Sequence, residues 1–411
     1  MLFFLSVRYL GRKKAMRHPL VLLPALAVLA ACIREPLFPG TPRHSHEPVT
    51  APRVMSDSAA DPLAGTPPGE HVWLTAVRYP DGFDWERDTC AVEGTVWIDL
   101  YRDGKRILSV AAGESVHPDM HRFLGGHLYT DASTDTETVV RQDGNELFRF
   151  PGREALRGFL VREDGIHTLG QDRDGDGFSY RVDGRIVFRS ETGTVLGTPD
   201  GSGPGALTED GEDDWYACRA GAEYRVMRGA EVFCTAAEKE GVRALGYVGG
   251  KVCRVISARR RLFLEVDGRE TALESRTGEA LVWCRMTAWD DDILLLCCVS
   301  GAKGKRVFLQ TALGRIFLPG DTAGDCLTEG KRMGWTETDG AGNLLRFRWS
   351  DGGSLDIAPG AYLAAGRCAR LSDGHLLLAL TGRGGAPNRF QRDAESTDIP
   401  FNGYFTSVTV E

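Results

Sequence analysis

The chain has 411 residues, a formal net charge of −8, 50 glycines and ten cysteines. That length allows a sizeable core. An acidic protein repels phosphate backbones, so nucleic acid is excluded as an expected partner.

Residues 1–31 read as an export signal. Arg12, Lys13, Lys14 and Arg17 form a basic start. Leu20 to Ala31 is an apolar run shorter than the roughly 20 residues a membrane span takes. Leu29-Ala30-Ala31-Cys32 follows directly. In that position it resembles the bacterial lipobox, in which the cysteine after the cleavage point takes the lipid. The resemblance makes Cys32 the expected site of lipid attachment, with palmitate-type acylation, and a membrane the expected partner through that lipid. The alternative is an ordinary secretory signal with a chance cysteine. Met16 is a second candidate start, because Met16 to Cys32 is already a complete short signal. Cleavage before Cys32 removes five cations (Arg8, Arg12, Lys13, Lys14, Arg17) and no acid, which takes the formal charge from −8 to −13.

Residues 32–70 read as a linker. Eight prolines from Pro36 to Pro68 and few apolar side chains leave too little burial to offset ordering entropy. As a flexible coil it spans roughly 35 Å, enough to hold a folded part away from a bilayer. No second apolar segment of spanning length follows.

Residues 71–411 carry a repeat. Asp103-Gly104, Asp143-Gly144, Asp183-Gly184, Arg228-Gly229, Asp267-Gly268, Leu313-Gly314 and Asp351-Gly352 recur about every forty residues. Asp-Gly between alternating apolar runs signals a two-residue hairpin, because both turn residues need positive φ. A second series interleaves with the first: Gly125-Gly126, Asp164-Gly165, Asp210-Gly211, Gly249-Gly250, Asp291-Asp292, Gly330-Lys331 and Asp373-Gly374. One unit is therefore four short antiparallel strands, which is the pattern of a propeller blade. No window holds a 3.6-residue apolar period, so helices are not expected. The expected fold is an all-β propeller of seven or eight blades, with eight preferred on length. HVWLTAVRYP near the start and GYFTSVTVE at the end are similar apolar strands, and pairing them would close the ring and remove a free edge. A β-sandwich is the alternative architecture.

Nine cysteines remain after Cys32, an odd number for an exported protein. With no C-x-x-C, zinc-ribbon and thioredoxin-like chemistry lack support. Cys218, Cys253 and Cys297 sit in similar apolar strands and read as small buried core residues. Cys297 and Cys298 should face opposite sides of one strand.

The signal, the proline-rich spacer and the D-G-punctuated blades together make the chain similar to the propeller lipoproteins of bacterial envelopes. The resemblance implies a cell-envelope location, with the outer membrane expected. It transfers no catalytic residue and names no ligand. The blades lack the Gly-His and Trp-Asp marks of WD40 repeats and the double glycine of kelch repeats.

The candidate chemistry is sparse. Asp172, Asp174 and Asp176, followed by Gly177, match the start of a calcium loop. Asp183 stands where an EF-hand places its last acid, but an intervening strand of about 16 Å would carry it to the opposite rim. Calcium is thus a candidate ligand of this loop, and a solvated Asp/Gly turn is the competing reading. His117, Asp119, His121 and His127 cluster without a metal-ligand spacing. They read as a possible zinc site, as polar loop residues or as a binding surface. Gly201 to Gly205 is not a phosphate loop, and no G-x-S-x-G elbow occurs. Asp84, Glu86, Asp88, Asp290, Asp291 and Asp292 could supply a glycosidase-type pair, though such residues are mostly solvated turns. These observations favour a non-catalytic binding or interaction module for a protein, peptide or glycan ligand. The alternative is an envelope polysaccharide lyase or hydrolase acting at the propeller channel.

Overall fold

A computed structural model describes residues 66–411 except 88–91, 114–120, 135, 174–175, 197–206, 211–212, 238–240, 318–321, 330, 340–342, 358–359 and 364–366. The described residues contain no helix. They form eight antiparallel blades. Blade 1 pairs Gly403–Val410, Val72–Arg78, Val96–Arg102 and Lys105–Gly113, in that order. Blade 2 is His121–Leu124, His127–Ser133, Glu137–Gln142 and Asn145–Pro151. Blade 3 is Glu154–Arg162, Gly165–Asp172, Phe178–Val182 and Arg185–Ser190. In blade 4 the first position is shared by Thr194–Leu196 and Thr208–Asp210, which both pair with Asp213–Ala220; Glu223–Arg228 and Glu231–Ala237 complete it.

Blades 5 to 8 again follow chain order. Blade 5 runs from Val242–Val248 to Arg269–Ala272, and blade 6 from Ala280–Trp289 to Ile316–Phe317. Blade 7 runs from Thr322–Glu329 to Ser354–Asp356, and blade 8 from Arg367–Arg370 to Glu395–Asp398. The last strand of most blades is largely exposed, whereas first strands of neighbouring blades touch. The first strand is therefore the inner one.

The expected closure occurs. Gly403–Val410 pairs antiparallel with Val72–Arg78 and supplies the inner strand of blade 1. Glu411 and His71 exchange two backbone hydrogen bonds, at 2.7 and 3.0 Å, just beyond this pairing.

Both faces of a blade are covered by its neighbours, so its strands are apolar on both sides. In blade 6, Leu295, Cys297 and Val299 pack toward blade 5, while Leu294, Leu296 and Cys298 pack toward blade 7. The two adjacent cysteines thus face opposite sides, as the period of two requires. A separate apolar core fills each of the eight seams. Among the described residues, Cys218, Cys234, Cys253, Cys297 and Cys298 carry free thiols. Burial pushes the Cys218 thiol up to about 11 and the Cys253 thiol up to about 12.

The D-G turns join the third and fourth strands. Asp103, Asp143, Asp183 and Asp267 have φ near +50°, each followed by a positive-φ glycine. Each aspartate also has a second task. Its carboxylate accepts the backbone N–H at the start of the second strand, from Val72, Leu128 and Ile166 at 2.9 Å and from Val252 at 3.3 Å. Blade 8 does the same with Asp393, which accepts from Leu376 at 3.0 Å. Its turn reads Asp393-Ala394, so the glycine signal is missing there. In blade 7 the role falls to Ser350, whose hydroxyl accepts from Met333 at 3.1 Å, one residue before the expected Asp351. Blade 6 inverts the device: Asp292, on the second strand, accepts from Leu313 at 3.4 Å and from Ile293 at 2.8 Å.

Candidate functional site

The sequence candidates separate in space. Cys32, Asp88, His117, Asp119, Asp174 and Gly201 to Gly205 lie outside the described residues. Asp172 ends the second strand of blade 3, and its N–H donates to the Gly177 carbonyl at 2.8 Å; Asp176 is exposed. Asp183 sits at the far end of Phe178–Val182, so strand geometry carries it away from that loop as expected. Among the described residues no group of three or more His, Cys, Asp or Glu side chains is placed to hold a metal ion.

His127 pairs with the Asp143 carboxylate at 2.7 Å, as His71 does with Asp103 at 2.8 Å and His375 with Asp393. It belongs to the repeated turn brace. His121 begins the inner strand of blade 2, at the other end of a hairpin from His127, and contacts the Thr406 hydroxyl at 2.8 Å. The two histidines therefore do not share a ligand position.

Two buried charge clusters were not legible in the sequence. Arg181, 1% exposed, donates through both terminal nitrogens to the Glu154 carboxylate and lies 4.1 Å from the Phe150 ring centroid. The pair crosses over Gly170, where a Cβ would sit 2.0 Å from Glu154 Oε2. Asp214, 4% exposed, accepts from Arg162 at 2.8 Å and from Tyr180 OH at 2.7 Å, and also contacts His167. His167 reaches Asp164 at 3.1 Å through its other ring nitrogen. Both clusters pair their charges internally, which suits struts between strands and blades rather than a working site.

The open site lies at the seam between blades 8 and 1, on the rim opposite the turn braces. There the connection after Val72–Arg78 meets the connection after Leu376–Leu380. Asn402 fixes the first by donating to Pro80 and Phe83 carbonyls at 2.8 and 2.9 Å. Asn388 fixes the second, accepting from Gly382 N at 2.9 Å and donating to Phe401 and Gly403 carbonyls. Glu86 ties the two together: it accepts from Arg383 Nε at 3.2 Å and from Gly384 N at 2.9 Å. Of the acidic run read in the sequence, Glu86 is thus a latch, and Asp84 makes an exposed contact with Arg87 at 3.7 Å.

This framing leaves two adjoining cavities that share Trp85 and Glu86. One, of about 480 Å³, is lined by the glycine-rich Gly382 to Ala386 turn and by Gly82 to Arg87. The other, of about 400 Å³, is bounded by Tyr79, Trp85 and Tyr404 on one side and by Arg367, Thr381 and Arg383 on the other. The aromatic wall is packed: Trp85 and Tyr404 centroids are 5.3 Å apart, and Tyr79 and Tyr404 are 6.2 Å apart. Burial and the contact with Tyr404 push the Tyr79 hydroxyl far above its ordinary range. Tyr404 is also raised by burial, against the opposing pull of Tyr79 and the Arg367 charge. Both phenols are therefore neutral, usable for hydrogen bonding and stacking. Depth, aromatic walls and a few fixed polar groups are the usual make-up of a ligand site.

No family model matches the chain, and no curated protein matches it. Solved structures with similar folds include AztD of Citrobacter koseri, with TM-score 0.45, 10% identity, and coverage of 83% of this chain and 98% of that one. BamB of Moraxella catarrhalis is similar with TM-score 0.38, 11% identity, and coverage of 74% and 95%. A putative 6-phosphogluconolactonase of Bacteroides fragilis is similar with TM-score 0.36, 10% identity, and coverage of 84% and 98%. At these identities no site residue carries over.

Proposed function

We propose that this chain is a lipid-anchored cell-envelope propeller that acts as a non-catalytic binding module and takes its ligand in the cleft between blades 8 and 1. The observation that carries the reading is the cleft itself, preformed by Asn402, Asn388 and the Glu86 latch and walled by aromatic rings. A site already rigid before binding loses little entropy on capture. The anchor rests on the sequence: the basic and apolar start, Leu29-Ala30-Ala31-Cys32 and the spacer behind it.

Two experiments test the two halves. Full-length protein incubated on an array of envelope glycans and peptides should retain a defined subset, and Trp85→Ala should lose it with the fold intact. Release of a cleaved product would instead favour the lyase or hydrolase reading. In a bacterial host, Cys32→Ala should abolish acyl labelling and move the protein to the soluble fraction; labelling that survives the change removes the anchor.

A further inference from the structure

The unusual group in the cleft is Arg367, which opens the inner strand of blade 8. Its Nε is buried without a hydrogen-bond partner, a condition it shares with Arg181 and Arg306, but unlike theirs its side chain forms no ion pair among the described residues. Arg181, Arg78 and Arg306 are each matched by a carboxylate: Arg181 by Glu154, Arg78 by Asp99 at 2.6 Å, Arg306 by Glu279 at 3.0 Å. A buried donor left unmade is costly unless something else satisfies it. Arg383, the second cation of the same cavity, is already neutralised by Glu86. With two arginines and one glutamate, the lining carries one uncompensated positive charge in a chain of net charge −8. Such a spot draws in a single anionic group.

The walls say what carries that anion. A bound peptide docks most simply by pairing its main chain to a free strand edge. Here three nearby backbone donors are already used: Phe405 N on the Thr381 hydroxyl, Leu363 N on the Thr381 carbonyl, Gly384 N on Glu86. What the cavity offers instead is ring surface at Trp85 and Tyr404 beside a planar guanidinium. A pyranose has an apolar ring face to lie on aromatic carbon, and a planar carboxylate meets a guanidinium through two parallel hydrogen bonds.

We propose that this cleft recognises a carboxylate-bearing sugar unit of the uronic acid type, with Arg367 gripping the carboxylate and Trp85 and Tyr404 supporting the ring. The inference rests on the binding-module reading above and names its ligand class.

The test is calorimetric titration of the full-length protein with glucuronate- and galacturonate-containing disaccharides, their carboxyl-reduced counterparts, and a short peptide with a free C-terminal carboxylate. At least one acidic sugar should bind tenfold or more tightly than its reduced form. Arg367→Met should erase that preference, whereas Trp85→Ala should weaken binding of both the acidic and the reduced sugars. Thermal melting of each variant separates a lost contact from a lost fold, and Arg367→Lys supplies a charge-retaining control expected to keep part of the preference. Equal binding of acidic and reduced sugars, or a preference that survives Arg367→Met, overturns the proposal. Tighter binding of the peptide overturns the sugar assignment. If none of the probes binds while array capture still depends on Trp85, the ligand class fails and the binding module stands. If the array captures nothing, the module reading itself fails.

Discussion

The seam between blades 2 and 3 and the seam between blades 8 and 1 use arginine in opposite ways. In the first, Arg181 is sealed against Glu154 and Phe150, with Gly170 cut back to let the pair cross. In the second, Arg367 faces a cavity and lacks a counter-charge among the described residues. The same architecture thus either closes a charge into its own strut or leaves it for something else to satisfy. Distinguishing the two needs coordinates, because both are single arginines in short β-strands.

The contrast makes its strongest prediction in stability. Glu154→Ala strands the Arg181 guanidinium in an apolar seam and should cost about 3–5 kcal/mol. Arg367→Ala removes a group with no internal partner and should stay within about 0.5 kcal/mol of the parent. Urea denaturation of both variants measures the gap, and equal losses would erase the distinction.

A smaller effect follows from the filled seam between blades 5 and 6, where Arg306 donates to Glu279 at 3.0 Å. Burial alone would raise the Glu279 carboxyl, but Arg306 and the Arg276 backbone N–H outweigh it and hold the group below its ordinary 4.5. A depressed carboxyl pKa adds stability that is complete above the unfolded value and is lost as pH falls through the folded one. Melting temperature should therefore decline below about pH 4.5, and Glu279→Gln should flatten part of that decline. An unchanged acid limb would mean that the ion pair is not formed in solution.

The smallest effect is chemical rather than energetic. The sealed seams raise the Cys218, Cys253 and Cys297 thiols through burial, and raised, buried thiols are poor nucleophiles. Iodoacetamide at pH 8 should leave these three unmodified in the native protein and alkylate them in urea. Rapid native labelling at Cys297 would show that its seam opens.

Much of the fold could be read in advance because its determinants are local. Asp-Gly turns need positive φ, and alternating apolar residues need two covered faces, so the forty-residue unit shows in the text of the chain. The eighth blade was harder because Asp393-Ala394 keeps the aspartate and drops the glycine. His127 looked like a metal candidate because a histidine leading a strand carries no mark of the Asp143 turn it braces. The buried clusters and the cleft were not legible at all. Glu154 meets Arg181, 27 positions on, only because three strands lie side by side and Gly170 leaves room. Glu86 meets Arg383, 297 positions on, only because the ring closes. No spacing rule reaches that far.

That closure also sets a timetable for folding. Blades 2 to 8 hold strands that are consecutive in the chain, so each can assemble soon after it is made. Blade 1 has three early strands and one that comes last. Until Gly403–Val410 arrives, the Val72–Arg78 strand presents an unpaired edge, and Val72, Leu74 and Ala76 await their partner Phe405. An exposed apolar edge of that kind invites pairing with other chains. The nascent protein is thus most vulnerable to aggregation just before its final strand docks, and a factor that shields this one edge would protect the whole ring.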